Sequence, residues 1–252
     1  YGILLNNKPR PKVISLFTCG MGMDIGFEKS GFDTVYTNDI ARFACDTIKK
    51  NKDGVICDHG DIANIPSSEI LKKCNLKKGE IDVVIGGPPC QSFSTAGKRK
   101  GFDDKRGIAL LEFIRIIRDV NPKFFVFENV PGLKSMSKKH IDFYERSSMD
   151  KSELSHDQKY GSLFEEILTQ FSGLSGYKIH WEILNAADYG VPQKRKRLVL
   201  IGSRVLDPKE IFNQIRKEAT FADPSVAAEE KKKPWKTLRD GLSGLVDEEK
   251  ER

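Results

Sequence analysis

The chain has 252 residues, 38% of them apolar and 31% charged, and carries a formal net charge of +6. Folding at this length buries roughly three quarters of the unfolded surface, so a core forms without disulfide or metal staples. No apolar run approaches the ~20 residues that cross a bilayer and no signal-like segment opens the given sequence, so the expectation is a soluble, cytoplasmic protein. The five cysteines, Cys19, Cys45, Cys57, Cys74 and Cys90, are odd in number and contain no CxxC pair, so they read as free thiols in a reducing compartment with no structural zinc. Tyr1 stands first, as in a processed or trimmed product. Basic residues gather at Lys98-Arg99-Lys100, Lys105-Arg106, Lys194 to Arg197 and Lys231-Lys232-Lys233. Each run alone reads as a solvated loop; together they suit a polyanion.

In chain order, Val13 to Phe17 is an apolar strand that ends in the glycine turn Cys19-Gly20-Met21-Gly22 and leads into a helix. Thr34 to Thr37 is a second strand ending at Asn38-Asp39, and Ala41 to Asn51 has helical spacing. Val55 to Cys57 and Ile81 to Ile85 are two further strands. Ala109 to Val120 is helical, and Lys123 to Phe127 is a fully apolar strand stopping at Glu128-Asn129-Val130-Pro131-Gly132. Residues 134–160 are polar and read as a surface loop. Tyr177 to Leu184 and Leu198 to Ile201 are late strands, and Asp223 to Pro234 reads as a linker. Continuous apolar strands alternating with helices predict an α/β fold, a doubly wound, mostly parallel Rossmann-like sheet.

In that class ligands collect at the carboxyl ends of the strands, where every chemically suggestive cluster of this chain falls. Gly20, Gly22 and Gly26 form G-x-G-x-x-x-G, one residue off the dinucleotide fingerprint and weak alone, yet suited to a cofactor approaching a helix N-terminus. Asp39 is placed either to accept ribose hydroxyls or to cap the following helix. Asp61, after Gly60, either reaches an adenine amino group or makes turn chemistry.

The stretch GGPPCQSFS, Gly86 to Ser94, presents Cys90 on a ledge stiffened by prolines. Buried structural cysteine is the commoner fate of the residue, but such a cysteine has no need of the ledge. A thiolate suits conjugate addition at an electron-poor ring carbon. Such an adduct needs a proton donor, and Glu128 at the end of an apolar strand is the candidate, since burial favours a protonated carboxyl; the competing reading is turn and helix-cap chemistry. Arg195 and Arg197 alternate as the chain enters a strand, so both face one side, to hold a ring carbonyl and a phosphate or to form a charged strand edge.

Taken in order, LFTCGMGMDIGFEKSGF, ND, GDI, GGPPCQSFS, ENV and LNAADYGVPQKRKRLVLIG resemble the DNA (cytosine-5)-methyltransferases over about Val13 to Gly202. PPCQ followed by ENV and then Q-x-R-x-R is the specific part. The resemblance implies the S-adenosylmethionine-dependent methyltransferase type of fold, with residues 1–222 as the catalytic domain. It implies Cys90 as nucleophile on C6 of a flipped cytosine in double-stranded DNA and Glu128 as the residue that protonates or hydrogen-bonds N3. Arg197 would support the base carbonyl, while Arg195 and Gln193 organise their loop. Phe17, Gly20, Gly22, Asp39, Ile40, Asp61 and Pro88 would line the pocket for S-adenosyl-L-methionine, with Asn129 bracing the site.

Two departures stand out. The family shows F-x-G-x-G in the first turn, and here Cys19 and Met21 hold the glycine positions with Gly20 between them. Residues 223–252 resemble only the approach to a target-recognition region, so that half is either carried by a second subunit or trimmed away. Readings that compete with a restriction-modification DNA methyltransferase are a tRNA cytosine-5 methyltransferase, a non-catalytic DNA-binding subunit and a nicotinamide oxidoreductase. The last leaves Cys90, Glu128 and the arginines unexplained.

Overall fold

The computed structural model describes residues 9–89, 105–139, 141, 147–150, 152 and 154–243, with side chains of 105–107 excepted. Seven strands form one sheet: β1 (Lys12–Leu16), β2 (Asp33–Asp39), β3 (Ile56–His59), β4 (Val83–Gly86), β5 (Phe124–Asn129), β6 (Lys178–Asn185) and β7 (Lys196–Ser203). Their order is β3-β2-β1-β4-β5-β7-β6. The first five are mutually parallel, whereas β7 runs antiparallel to both β5 and β6. The mostly parallel α/β fold expected from the alternation is therefore present, with one reversed strand.

Successive side chains of a strand point to opposite faces, and the core divides accordingly. Ile14, Val84, Phe125 and Phe127 enter the larger cluster, while Val13, Val83 and Ile85 enter the smaller one on the other face with Met23, Phe27 and Phe32. Helix α1 (Gly22–Lys29) supplies the second cluster, and α2 (Arg42–Asn51) packs beside β2 and β3. The larger cluster draws on α3 (Ser67–Lys73), α4 (Lys105–Val120) and α5 (Ser162–Ser172). In α4 the buried residues Leu110, Phe113, Ile114, Ile117 and Val120 recur every three or four positions, the spacing of one helix face. Helices α3, α5 and α6 (Pro208–Lys217) are absent from the sequence reading. Within 134–160 the described residues are not all at the surface, because Ile141 is buried and the Met136 carbonyl accepts the N–H groups of Gly161 and Leu163. A two-stranded pair, β8 (Phe221–Ala222) with β9 (Lys233–Pro234), and the short helix α7 (Leu238–Leu242) follow the main sheet. Among the described residues no helix is long and apolar enough to cross a membrane.

Two glycines are set by close approach. A Cβ on Gly86 would lie 2.7 Å from Phe113 and 2.9 Å from the Leu16 carbonyl oxygen. A Cβ on Gly202 would lie 2.0 Å from the ring of Phe125, its cross-strand partner, which is itself stacked on Phe171 at 5.2 Å. Gly202→Ala is therefore expected to destabilise the fold by about 3 kcal/mol, at the upper end of overpacking costs. Urea unfolding of the variant with an unchanged midpoint would contradict this packing.

Candidate functional site

The loop leaving β1 has an unusual backbone. Phe17, Cys19 and Met21 have φ of 56°, 50° and 62°, three alternate non-glycine residues in the left-handed region. Two of these, Cys19 and Met21, stand where the resembled motif has glycine, and Gly20 between them has no such φ. The glycine requirement is thus real and is met here by strained residues. Hydrogen bonds hold the strain in place. The Thr18 N–H donates to the Asn38 carbonyl (3.2 Å), and the Thr18 hydroxyl approaches the Ser15 carbonyl (3.0 Å) and Ser15 Oγ (3.1 Å). Ser15 in turn donates to Asp24 Oδ2 (3.0 Å), and Thr34 donates to Asp24 Oδ1 (3.3 Å). Asp24, in the first turn of α1, is only 1% exposed. Its burial holds the carboxyl above the ordinary aspartate range, against the lowering effect of the Ser15 hydroxyl.

A cleft of about 510 Å³ opens over this loop, walled by Phe17, Thr18, Cys19, Gly22 and Asp24 on one side and by Gly86, Gly87, Glu128 and Arg195 on the other. Asp39 closes the turn: its Oδ2 accepts the Cys19 N–H and its Oδ1 the Ala41 N–H, both at 2.8 Å. The bond to Ala41, the N-cap residue of α2, is a turn contact rather than a helix cap, since α2 has no side-chain cap, and each Asp39 oxygen keeps lone-pair capacity for a further donor. Asp61 is exposed and accepts the Ala63 N–H (3.0 Å), so it makes turn chemistry at the carboxyl end of β3. Ile40 is 68% exposed beside Phe43 at 72%. Of the residues expected around a cofactor, Phe17 and Gly22 wall the cleft, whereas Gly20, Asp39, Ile40, Asp61 and Pro88 lie outside its wall. A Cβ on Gly22 would meet no atom within 4 Å, so neither packing nor φ demands glycine there and the room is left to an occupant.

At the other wall, Arg197 Nε lies 2.7 Å from Glu128 Oε1, with the two side chains 24% and 28% exposed. Glu128 is consequently not the dry, unpartnered carboxyl that its apolar strand predicts, because β7 brings a guanidinium onto it. A Cβ on Gly87 would lie 3.1 Å from Glu128 Oε2, so the second glycine of GGPP makes room for the other carboxylate oxygen. Asn129, 7% exposed, donates Nδ2 to the Pro88 carbonyl (3.0 Å) while its Oδ1 accepts the Val130 N–H (2.9 Å). The turn before Cys90 is thus tied to the end of β5. Cys90 itself lies outside the described residues, as do Lys98-Arg99-Lys100. Burial raises the Cys45 thiol well above its ordinary value and pushes Cys74 up to about 11, the state of inert structural cysteines. In the run Lys194 to Arg197, read as a polyanion site, Lys194 pairs with Asp223 (3.4 Å) and Arg197 with Glu128. Sequence reasoning missed Asp24, whose place at a helix start reads as ordinary dipole complementation, and gave no role to Asn185 at the end of β6 or to Asp188 after it, although both lie in the quoted stretch LNAADYGVPQKRKRLVLIG.

A twisted sheet with a reversed strand beside its fifth, a glycine-bearing turn after β1 and an acid closing β2 define a nucleotide-type α/β fold of the methyltransferase kind. A prophage-encoded E. coli protein described as a DNA modification methyltransferase shares it, with a TM-score of 0.61 and 26% identity over 94% of this chain and 56% of that one. The chain belongs to the C-5 cytosine-specific DNA methylases, whose family model matches residues 11–251. The methyl donor of these enzymes is S-adenosylmethionine. It is 37% identical to the Type II methyltransferase M.AquIA of Picosynechococcus sp. over 93% of this chain and 88% of that protein. It is also 37% identical to M.XorII of Xanthomonas oryzae pv. oryzae, over 85% of this chain but 45% of that protein. The chain thus spans nearly all of one relative and about half the length of others.

Two outcomes follow from the strained turn and its buried acid. Cys19→Gly is expected to stabilise the protein by about 1 kcal/mol relative to Cys19→Ala, because only glycine relieves the left-handed Cβ clash; denaturant midpoints that rank alanine above glycine would remove the strain argument. Since folding raises the Asp24 pKa, its contribution to stability is full below the unfolded value of ~4 and is lost as pH rises through the folded value. Asp24→Asn should therefore gain stability relative to the parent between pH 4 and pH 7, which unfolding curves at the two pH values will show as a rising difference.

Proposed function

We propose that the chain carries the methylation centre that modifies C5 of cytosine in DNA, with Cys90 adding to C6 of a flipped base. The supporting observation is the convergence at one cleft mouth of Glu128, its partner Arg197, the cleft-lining Arg195 and the GGPP turn tied down by Asn129. S-adenosylmethionine, bound over the β1 turn, supplies an electrophilic methyl group on a sulfonium. Phe17 and Gly22 would border it, and Asp39, Ile40 and Asp61 would meet its nucleoside end. The cytosine C5 is a weak carbon nucleophile. Attack of the Cys90 thiolate on C6, with N3 taking a proton from solvent by way of Glu128 Oε2, turns C5 into an enamine-like carbon; after methylation the C5 proton passes to solvent as the thiolate leaves.

Both arginines of the alternating pair bear on the base in this reading. Arg197 is occupied in holding Glu128 Oε1, which leaves Oε2, toward Gly87, to face the ring. Arg197 meets that carboxylate through Nε, so its Nη2, together with Arg195 on the cleft wall, remains a donor for the base carbonyl. Flipping draws a few kcal/mol from DNA contacts, and the basic stretches around 98–105 and 194–197 are the candidates for phosphates. Base-specific reading falls to residues beyond those described, in the same polypeptide or a second subunit, and the setting is a cytoplasmic restriction-modification system.

Transfer of labelled methyl groups to duplex DNA and to tRNA, with the chain alone and with any chain encoded beside it, tests the proposal. Label is expected on cytosine C5 of DNA, lost in Cys90→Ser and reduced about 10²- to 10⁴-fold in Glu128→Gln, while cofactor affinity stays unchanged. Label that survives Cys90→Ser, or that goes to tRNA alone, overturns it.

A further inference from the structure

The segment following the sheet returns onto the arginine-bearing loop at several points. Gly190 has φ of 84° and abuts Phe221, whose ring would lie 2.8 Å from a Cβ there. Pro192 takes the space of a side chain at Gly241, 2.5 Å from a Cβ built on it. The Lys194 ammonium sits 4.5 Å above the Trp235 ring and pairs with Asp223. The Trp235 indole N–H donates to Asp188 Oδ1 at 2.8 Å.

From Asp188 the contacts run inward to the cleft. Asn185 Nδ2 donates to the same Asp188 Oδ1 (3.2 Å), and Asn185 Oδ1 accepts the backbone N–H of Arg195 (3.1 Å). The Arg195 carbonyl accepts the Ala186 N–H (3.0 Å), so the peptide units before and after its Cα are both held. Asn185 is 8% exposed, and a buried amide can present either end to a neighbour. An ionised carboxylate only accepts hydrogen bonds, so Asp188 demands the NH₂ end of Asn185 and leaves the oxygen for Arg195. The Trp235 N–H is a donor only and fixes that carboxylate from outside.

We propose that Trp235, Asp188 and Asn185 are positioning residues, a relay through which the segment 221–243 sets the placement of Arg195 at the cleft. The relay rests on the reading of Arg195 as a base-contacting group. It makes that segment part of the methylation centre's geometry and links the approach to the base-reading region with the reacting pocket.

The full chain and its Trp235→Phe, Asp188→Asn and Asp188→Leu variants are compared by amide hydrogen exchange, by titration with S-adenosylmethionine and by methyl transfer to DNA. Trp235→Phe keeps an aromatic ring at that position, though a smaller one, and removes the donor. It and Asp188→Leu should speed exchange in peptides covering 185–197 at least tenfold while the β1 turn exchanges as in the parent, and cofactor affinity should stay within twofold. Asp188→Asn, which keeps an acceptor, should retain most of the protection. In transfer assays kcat should fall about tenfold in Trp235→Phe and Asp188→Leu with the cofactor KM unchanged. Parent-like exchange over 185–197 in Trp235→Phe overturns the relay, as does a loss spread evenly over the whole chain. A parent protein that transfers no label overturns the functional reading instead and leaves the exchange comparison to decide the relay.

Discussion

The site depends on the reversal of β7. Parallel strands bring only their carboxyl ends to the ligand edge of a doubly wound sheet, which is how the turn after β1, Asp39, Gly86-Gly87 and Glu128 come to share it. A cation at the start of a strand reaches the same edge only if its strand runs the other way. β7 does so, pairing Asn129 with Leu198 and Glu128 with Val199, and its first residues then lie beside the end of β5. Arg197 meets Glu128 at 2.7 Å for this reason, and Arg195 reaches the cleft wall. With about a quarter of each side chain still exposed, the pair is partly screened by water and serves mainly to orient the carboxylate.

The opposite wall trades stability for shape. Three alternate residues in the left-handed region, at a cost on the order of 1 kcal/mol or more each, persist only where the surroundings leave no alternative. Here Thr18 bonds back to β1 and across to β2, and the buried Asp24 gathers the Ser15 and Thr34 hydroxyls beneath the turn. The Cys19 N–H that this conformation turns outward is collected by Asp39. The same carboxylate takes the Ala41 N–H at the start of α2, so one acid ties the first turn to the second.

The fold class was legible because its signal is repeated: β-branched and aromatic runs at β1, β2, β4 and β5 each end in a polar turn, and the sheet forms with every one of them in place. Helices α3, α5 and α6 were not read, although α6 opens with Asp207-Pro208, a capping side chain followed by proline at the first helical position. Its low overall hydropathy hid a well-ordered apolar stripe, on which Pro208 and Phe212 are buried. The candidate residues were legible one by one from their strand-end positions, but their partners were not. Glu128 follows four apolar residues and reads as desolvated; the cation that answers it is 69 positions later, in a strand whose direction no local pattern encodes. Asn185 and Asp188 were illegible for a related reason, since their importance lies in which end of an amide faces which neighbour.

Charge counting illustrates the same gap between composition and contact. Lys194 to Arg197 contributes four formal positive charges, yet Lys194 stands against Asp223 and over the Trp235 ring, and Arg197 is spent on Glu128. A cation already facing an anion adds little to the field that draws in a polyanion, because the pair looks neutral beyond a Debye length of ~10 Å. The loop's bearing on DNA therefore comes less from its net charge than from where it puts the Arg195 guanidinium. That placement depends on the segment packed behind it, so under the proposed reading attraction to phosphates and orientation of the base would be carried by different residues of one short basic run.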